Sequence, residues 1–229
     1  MKKELFSEFI STFILVFAGC FSIVADSLYN NLGSLGISLV FGMSVTLLII
    51  AFGKISGAHM NPAVTISLAT SKNIEKRKVL PYISAQITGA VLASFTVAFL
   101  FLETGKKSEE LAYLGTTLPS GSSLQSFILE ILLTFILMIV IYMSAVSPKG
   151  NKHLAPFAIG FTVTIDALFG GAISGASMNP ARSIGPAIAS GTFDSIWIYL
   201  TAPIIGALIA SKIYLSIKGT TIDKQCCKN

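Results

Sequence analysis

Two Asn-Pro-Ala triplets, Asn61-Pro62-Ala63 and Asn179-Pro180-Ala181, carry the sharpest chemical meaning in this chain. Asparagine is among the best helix N-caps, and proline fits the first helical turn because its missing N–H costs nothing there. Each triplet therefore announces a helix start. Both lie in a matched context, Ser56-Gly57-Ala58-x-Met60-Asn61-Pro62-Ala63 recurring as Ser174-Gly175-Ala176-x-Met178-Asn179-Pro180-Ala181. One triplet is common by chance, whereas two in the same eight-residue setting are not. A helix N-terminus carries about half a positive charge, and the glycine-bearing loop ahead of it leaves backbone carbonyls without helical partners. Arg182 adds a cation to a largely apolar segment, a costly placement that marks a functional position.

Glu8 and Glu130 stand at matching places in two apolar runs, Glu8-x-x-x-Thr12-Phe13-Ile14-Leu15 and Glu130-x-x-x-Thr134-Phe135-Ile136-Leu137. Their duplication favours a structural role, accepting backbone N–H groups of the loops, over a proton relay. Asp166 has no carboxylate twin, and three settings stay open for it: an outer vestibule, a backbone donor at a protomer interface, or a neutral state. Two histidines, His59 and His153, and three cysteines, Cys20, Cys226 and Cys227, have neither metal-ligand spacing nor a disulfide framework. No nucleophile–base pair or phosphate loop appears either. The chain is expected to be no enzyme and to hold no metal and no cofactor. His153, beside Lys149 and Lys152, reads as part of a solvated loop with gating as the alternative. Cys226 and Cys227 read as a reduced tail with lipidation as the alternative.

The elements that position these residues belong to a bilayer. Of 229 residues 53% are hydrophobic and 12% charged, against about 25% charged in soluble domains. A crossing helix needs about 20 apolar residues, and six segments qualify: Leu5–Ala25, Gly36–Gly53, Pro81–Leu102, Leu124–Val146, Ala155–Ile173 and Ile196–Ile217. The first lacks a small-residue cleavage site and reads as a retained span. Asn61–Thr70 and Asn179–Ala189 are apolar but too short to cross. The net charge of +5 comes from basic residues between and beyond the spans, so it is a topology signal rather than a nucleic-acid footprint. Thirteen of sixteen Lys and Arg fall on the side that holds both termini, which the positive-inside rule makes cytoplasmic.

A third matched pair, Ile87-x-Gly89-Ala90 and Ile204-x-Gly206-Ala207, joins the other two at a spacing of roughly 120 residues. Each half, 1–115 and 116–229 of a single 1–229 domain, then holds three crossings and one short segment, so the second half enters the membrane inverted. Short helices entering from opposite faces meet at mid-membrane, where unsatisfied backbone must line protein or water. This predicts a narrow aqueous path lined by carbonyls of Gly57, Ala58 and His59 on one stretch and Gly175, Ala176 and Ser177 on the other, with the amides of Asn61 and Asn179 donating at the centre. An ion-coupled secondary transporter shares inverted repeats and broken helices. Two rigid asparagine caps and small residues on the crossing helices favour a fixed pore.

GAHMNPAVTI and GASMNPARSIGPA, the Glu-Thr-Phe pattern and the six-plus-two layout resemble the aquaporin (major intrinsic protein) family from about Glu4 to Ile217. The wording SGASMNPARSIGPA is especially similar to plant nodulin-like intrinsic proteins and their bacterial relatives. The resemblance implies an all-α membrane protein, six transmembrane helices plus two re-entrant half-helices, in a homotetramer whose protomers each conduct water or small neutral solutes, in the cell membrane. It also implies that Arg182 is the selectivity-filter arginine, with Phe41, Ala167 and Ala176 as the other filter positions, and that His59 lines the pore near the cytoplasmic side. Two signals disagree on solute. Neither histidine can occupy the filter, where strict water channels carry one, whereas Ser183 and Ala187 stand where glycerol facilitators place Asp and a basic residue. The filter weighs more and predicts passage of glycerol or metalloid hydroxides with water; strict water selectivity is the alternative.

Overall fold

The computed structural model describes residues 1–226, with side chains described through Lys218; Cys227 and the side chain of Cys226 lie outside the described residues. Eight α-helices follow one another: α1 Lys2–Tyr29, α2 Gly33–Ser56, α3 Pro62–Thr70, α4 Lys76–Leu100, α5 Ser123–Ile141, α6 Ala155–Ser174, α7 Pro180–Ser190 and α8 Ile196–Cys226. Six of them are long and apolar enough to cross a bilayer, and no strand occurs among the described residues. The chain is an all-α, multi-pass integral membrane protein.

Most of the helices outrun the apolar runs that signal them, although α4 stops at Leu100 and α5 at Ile141, short of Leu102 and Val146. α4 begins at Lys76, five residues before Pro81, because a crossing helix continues into the headgroup layer, where Lys76, Arg77 and Lys78 remain solvated. Pro81 lies in the second turn of α4, where it forgoes the bond an N–H would make to the Arg77 carbonyl without ending the helix. α5 passes at Tyr142 into a wider π-turn that runs to Val146. Between α4 and α5 the chain forms short 3-10 turns, the second of which winds left-handed through Ala112, Tyr113 and Leu114 before Gly115.

Three pairings dominate the packing: α1 on α4, α5 on α8, and α2 on α6. Membrane helices lack a hydrophobic drive toward each other and rely on close approach through small residues. A Cβ on Gly89 would run into the Phe9 carbonyl of α1, and a Cβ on Gly206 into the Ile131 carbonyl of α5. These are the glycines of the third matched pair. The short helices reach across: α3 packs chiefly on α8, and α7 chiefly on α4, so each braces the helix set that comes from the other half of the chain.

Candidate pore and its constriction

α2 and α6 end at Gly57 (φ 91°) and Gly175 (φ 81°), left-handed positions where a side chain would be strained. Each glycine turns the chain back into the protein. Ala58 and Met60, then Ala176 and Met178, also have positive φ, so the two loops share one backbone pattern. Asn61 (φ −154°) and Asn179 (φ −149°) then resume extended backbone and cap the short helices. Asn61 Oδ1 accepts from Ala63 N, and Asn179 Oδ1 accepts from Ala181 N and Arg182 N.

Buried carboxylates hold both loops. Glu8 Oε1 accepts from Ser56 Oγ (2.6 Å) and His59 N (2.9 Å), and its Oε2 accepts from Met60 N (2.9 Å) and Gln86 Nε2 (2.7 Å). Glu130 Oε1 accepts from Ser174 Oγ (2.8 Å) and Ser177 N (2.8 Å), its Oε2 from Met178 N (2.8 Å). Tyrosines steady the loop bases, Tyr82 donating to the Ser56 carbonyl and Tyr199 to the Ser174 carbonyl.

The tips meet. Asn61 Nδ2 donates to the Met178 carbonyl (2.7 Å) and Asn179 Nδ2 to the Met60 carbonyl (2.8 Å), so each amide closes on the opposite loop. This crossed pair was invisible in the sequence, which suggested the amides but not that a methionine carbonyl takes one hydrogen of each.

A cavity of about 740 Å³ runs past this centre. Phe41, Ala167, Ala176 and Arg182 all line it, as do Gly57, Ala58, His59, Ser177 and both asparagines. Gly175 does not, because it forms the outer bend where its nearest neighbours are atoms of Thr117. Pro62, Ala63, Pro180 and Ala181 are buried behind the lining, in the first turns of α3 and α7. Lys54, Lys152 and His153 line the cavity as well.

Arg182 is 4% exposed, its guanidinium 5.1 Å from the Phe41 ring centroid, and its Nη1 donates to the Gly115 carbonyl (2.6 Å). That carbonyl belongs to the left-handed turn between α4 and α5, which sequence reasoning passed over because nothing in Ala112–Gly115 signals a left-handed winding. Thr117 Oγ1 donates to Ser183 Oγ (2.8 Å), which is 2.5 Å from Ser177 Oγ. The same loop thus ties down both Arg182 and the start of α7. Asp166 is buried, and its Oδ2 has no hydrogen-bond partner among the described residues. No cluster of His, Cys, Asp and Glu among the described residues could hold a metal ion.

The family model described as Major intrinsic protein matches residues 1–214. Nodulin-26 of Glycine max is 40% identical over 219 residues, spanning 95% of this chain and 79% of that protein. Aquaporin NIP3-1 of Arabidopsis thaliana is 42% identical over 221 residues, spanning 95% and 68%. The X-ray structure of the aquaglyceroporin from Plasmodium falciparum superposes with a TM-score of 0.84 at 27% identity, covering 97% of this chain and 98% of that one.

Proposed function

The chain belongs to the major intrinsic protein family, and on that premise we propose a passive pore that passes water with small neutral polyols or hydroxides, such as glycerol and metalloid acids, and excludes protons and ions. It is a channel and not an enzyme. The permeant follows the cavity between the two loops, and the four residues Phe41, Ala167, Ala176 and Arg182 form its filter. The single observation that carries the solute reading is the makeup of that constriction: two alanines leave open the volume that an imidazole or a second aromatic ring would fill. Phe41 offers an apolar wall, and Arg182 faces it with donors for hydroxyl oxygens. Size decides first and hydrogen-bond matching second.

Ions are disfavoured twice. A cation meets the Arg182 guanidinium, and at the centre it meets the positive ends of α3 and α7. Asn61 and Asn179 donate to the passing oxygen, so a proton has no acceptor lone pair there to hop along. The crossed amide bonds pin the two loops together, which supports a fixed pore over alternating access. Glu8 and Glu130 are loop anchors in this reading, not relays.

The single domain 1–229 divides into inverted repeats 1–115 and 116–229, assembles as a homotetramer, and sits in the cell membrane with both termini in the cytoplasm. Osmotic assays on proteoliposomes test the solute reading. Shrinkage under an impermeant osmolyte reports water, and re-swelling under glycerol, urea and metalloid hydroxides reports solute. Fast water flux with every one of these solutes excluded would leave strict water selectivity as the reading. Dependence on a proton or sodium gradient would turn it to a coupled transporter.

A further inference from the structure

The two loops differ at one position of the matched motif, His59 in the first and Ser177 in the second. His59 lines the cavity, and its Nδ1 lies 3.0 Å from Thr65 Oγ1. Which of these atoms carries the hydrogen follows from the other partners of Thr65. Its hydroxyl donates to the Asn61 carbonyl (3.0 Å), one turn back along α3. The same oxygen receives Gln86 Nε2 (3.0 Å). Gln86 cannot be turned the other way round, because Nε2 also donates to Glu8 Oε2 (2.7 Å), and a carboxylate only accepts.

A hydroxyl has one hydrogen and two lone pairs. With the hydrogen on Asn61 and one lone pair on Gln86, Thr65 can do nothing but accept from the imidazole. Nδ1 therefore bears the hydrogen, and in the neutral ring Nε2 is bare. Nε2 has no hydrogen-bond partner among the described residues and lies against Gly57, where a Cβ would stand 2.9 Å from it. Gly57 lines the same cavity. The Tyr82 ring packs on the imidazole at 5.3 Å between centroids, its hydroxyl already given to Ser56.

We infer that Thr65 and Gln86 are positioning residues that hold His59 in its Nδ1–H tautomer, so that the bare Nε2 accepts a hydrogen bond from an O–H or N–H group of the permeating solute. This rests on the reading of the cavity as the conduction path. Among the side chains that line the cavity, Arg182 and the two asparagines donate, and His59 adds an acceptor on one side of the centre to those that the loop carbonyls offer. In the other loop Ser177 Oγ is engaged with the Asn179 carbonyl and Ser183. A solute that both accepts and donates, a polyol or a neutral hydroxide, gains a partner at His59 that one which only accepts does not.

The test uses the full chain in lipid bilayers, labelled at the histidine ring nitrogens, at a pH where the rings are neutral. Nitrogen NMR separates a bare ring nitrogen from an N–H, and the spectrum of His153→Gln assigns the two histidines. The expected result is a protonated Nδ1 and a bare Nε2 on His59. Thr65→Val should release the ring into a mixture that includes Nε2–H, and Thr65→Ser should restore the single form. In proteoliposomes Thr65→Val should lower the glycerol-to-water permeability ratio about fivefold, the equivalent of one ordinary hydrogen bond, with Thr65→Ser near the unmodified ratio. A bare Nδ1 in the unmodified protein overturns the inference, and that spectrum decides even if Thr65→Val fails to fold. A changed tautomer with an unchanged ratio overturns the acceptor role. Failure of the unmodified protein to pass water would instead count against the conduction path and leaves the tautomer to be judged by its spectrum.

Discussion

Gly42 and Gly160 face each other where α2 crosses α6, so closely that a Cβ on either would run into the backbone carbonyl of the other. Thr164 Oγ1 and Thr46 Oγ1 close the remaining space. Gly42→Ala is accordingly expected to cost about 1–3 kcal/mol through forced separation of the helices, read as a lower melting temperature in detergent. Gly171→Ala, where no atom lies within 4 Å, is the control. It should leave stability equal or raise it, because alanine favours the helix over glycine. Equal losses in both variants would contradict the close crossing.

The carboxylate anchors should not be equally sensitive. Each oxygen of Glu8 takes two donors, so Glu8→Gln turns an amide NH2 toward two of them whichever way it flips. Glu130 Oε2 takes one, and Glu130→Gln can place its NH2 there. At about 1–3 kcal/mol per unsatisfied buried donor, Glu8→Gln should lower yield and thermal stability more than Glu130→Gln. Stable, well-folded Gln variants with proton-coupled transport would point to a relay instead.

Asp166 buries a carboxylate oxygen that has no hydrogen-bond partner among the described residues. Asp166→Asn removes the cost of carrying charge in that setting and is expected to raise the melting temperature. A clear fall would mean that the carboxylate has a partner the Asn cannot replace.

Protons should stay out. A pH-sensitive dye inside proteoliposomes, under an imposed proton gradient and alongside rapid water flux, should respond no faster than in empty vesicles. Fast dye response that appears only with the protein present contradicts the donor arrangement at Asn61 and Asn179.

The proposed filter is tested by Ala167→His. The imidazole would enter the cavity that Ala167 lines and should suppress glycerol flux several-fold while sparing much of the water flux. Unchanged glycerol flux would remove Ala167 from the constriction.

The crossings were legible because hydrocarbon imposes a length and a composition that few other environments impose. The six apolar runs overlap α1, α2, α4, α5, α6 and α8; they miss polar turns at helix ends, as at Lys76, and run past α4 to Leu102 and past α5 to Val146. Asn61 and Asn179 were legible as caps because the Asn-Pro signal is local. Apart from the loop N–H groups assigned to Glu8 and Glu130, hydrogen bonds that join distant segments were not. Gly115 gives its backbone carbonyl to Arg182, and a carbonyl has no residue type to betray it. Gln86 and Thr65 look like ordinary polar residues in a helix until their neighbours are known. Tyr82 and Tyr199 were within reach, since each stands five residues before the matched isoleucine, Ile87 or Ile204, and they repeat like the other pairs.

The crossed amides set a count at the centre of the proposed path. An asparagine amide has two hydrogens, and Met178 and Met60 each take one. Two remain, one from Asn61 and one from Asn179, and an oxygen of water or of a hydroxyl has two lone pairs. The centre is thus stoichiometric for one oxygen atom. A second molecule cannot be held there until the first has left, so the pinning of the loops also fixes the occupancy, and molecules must queue.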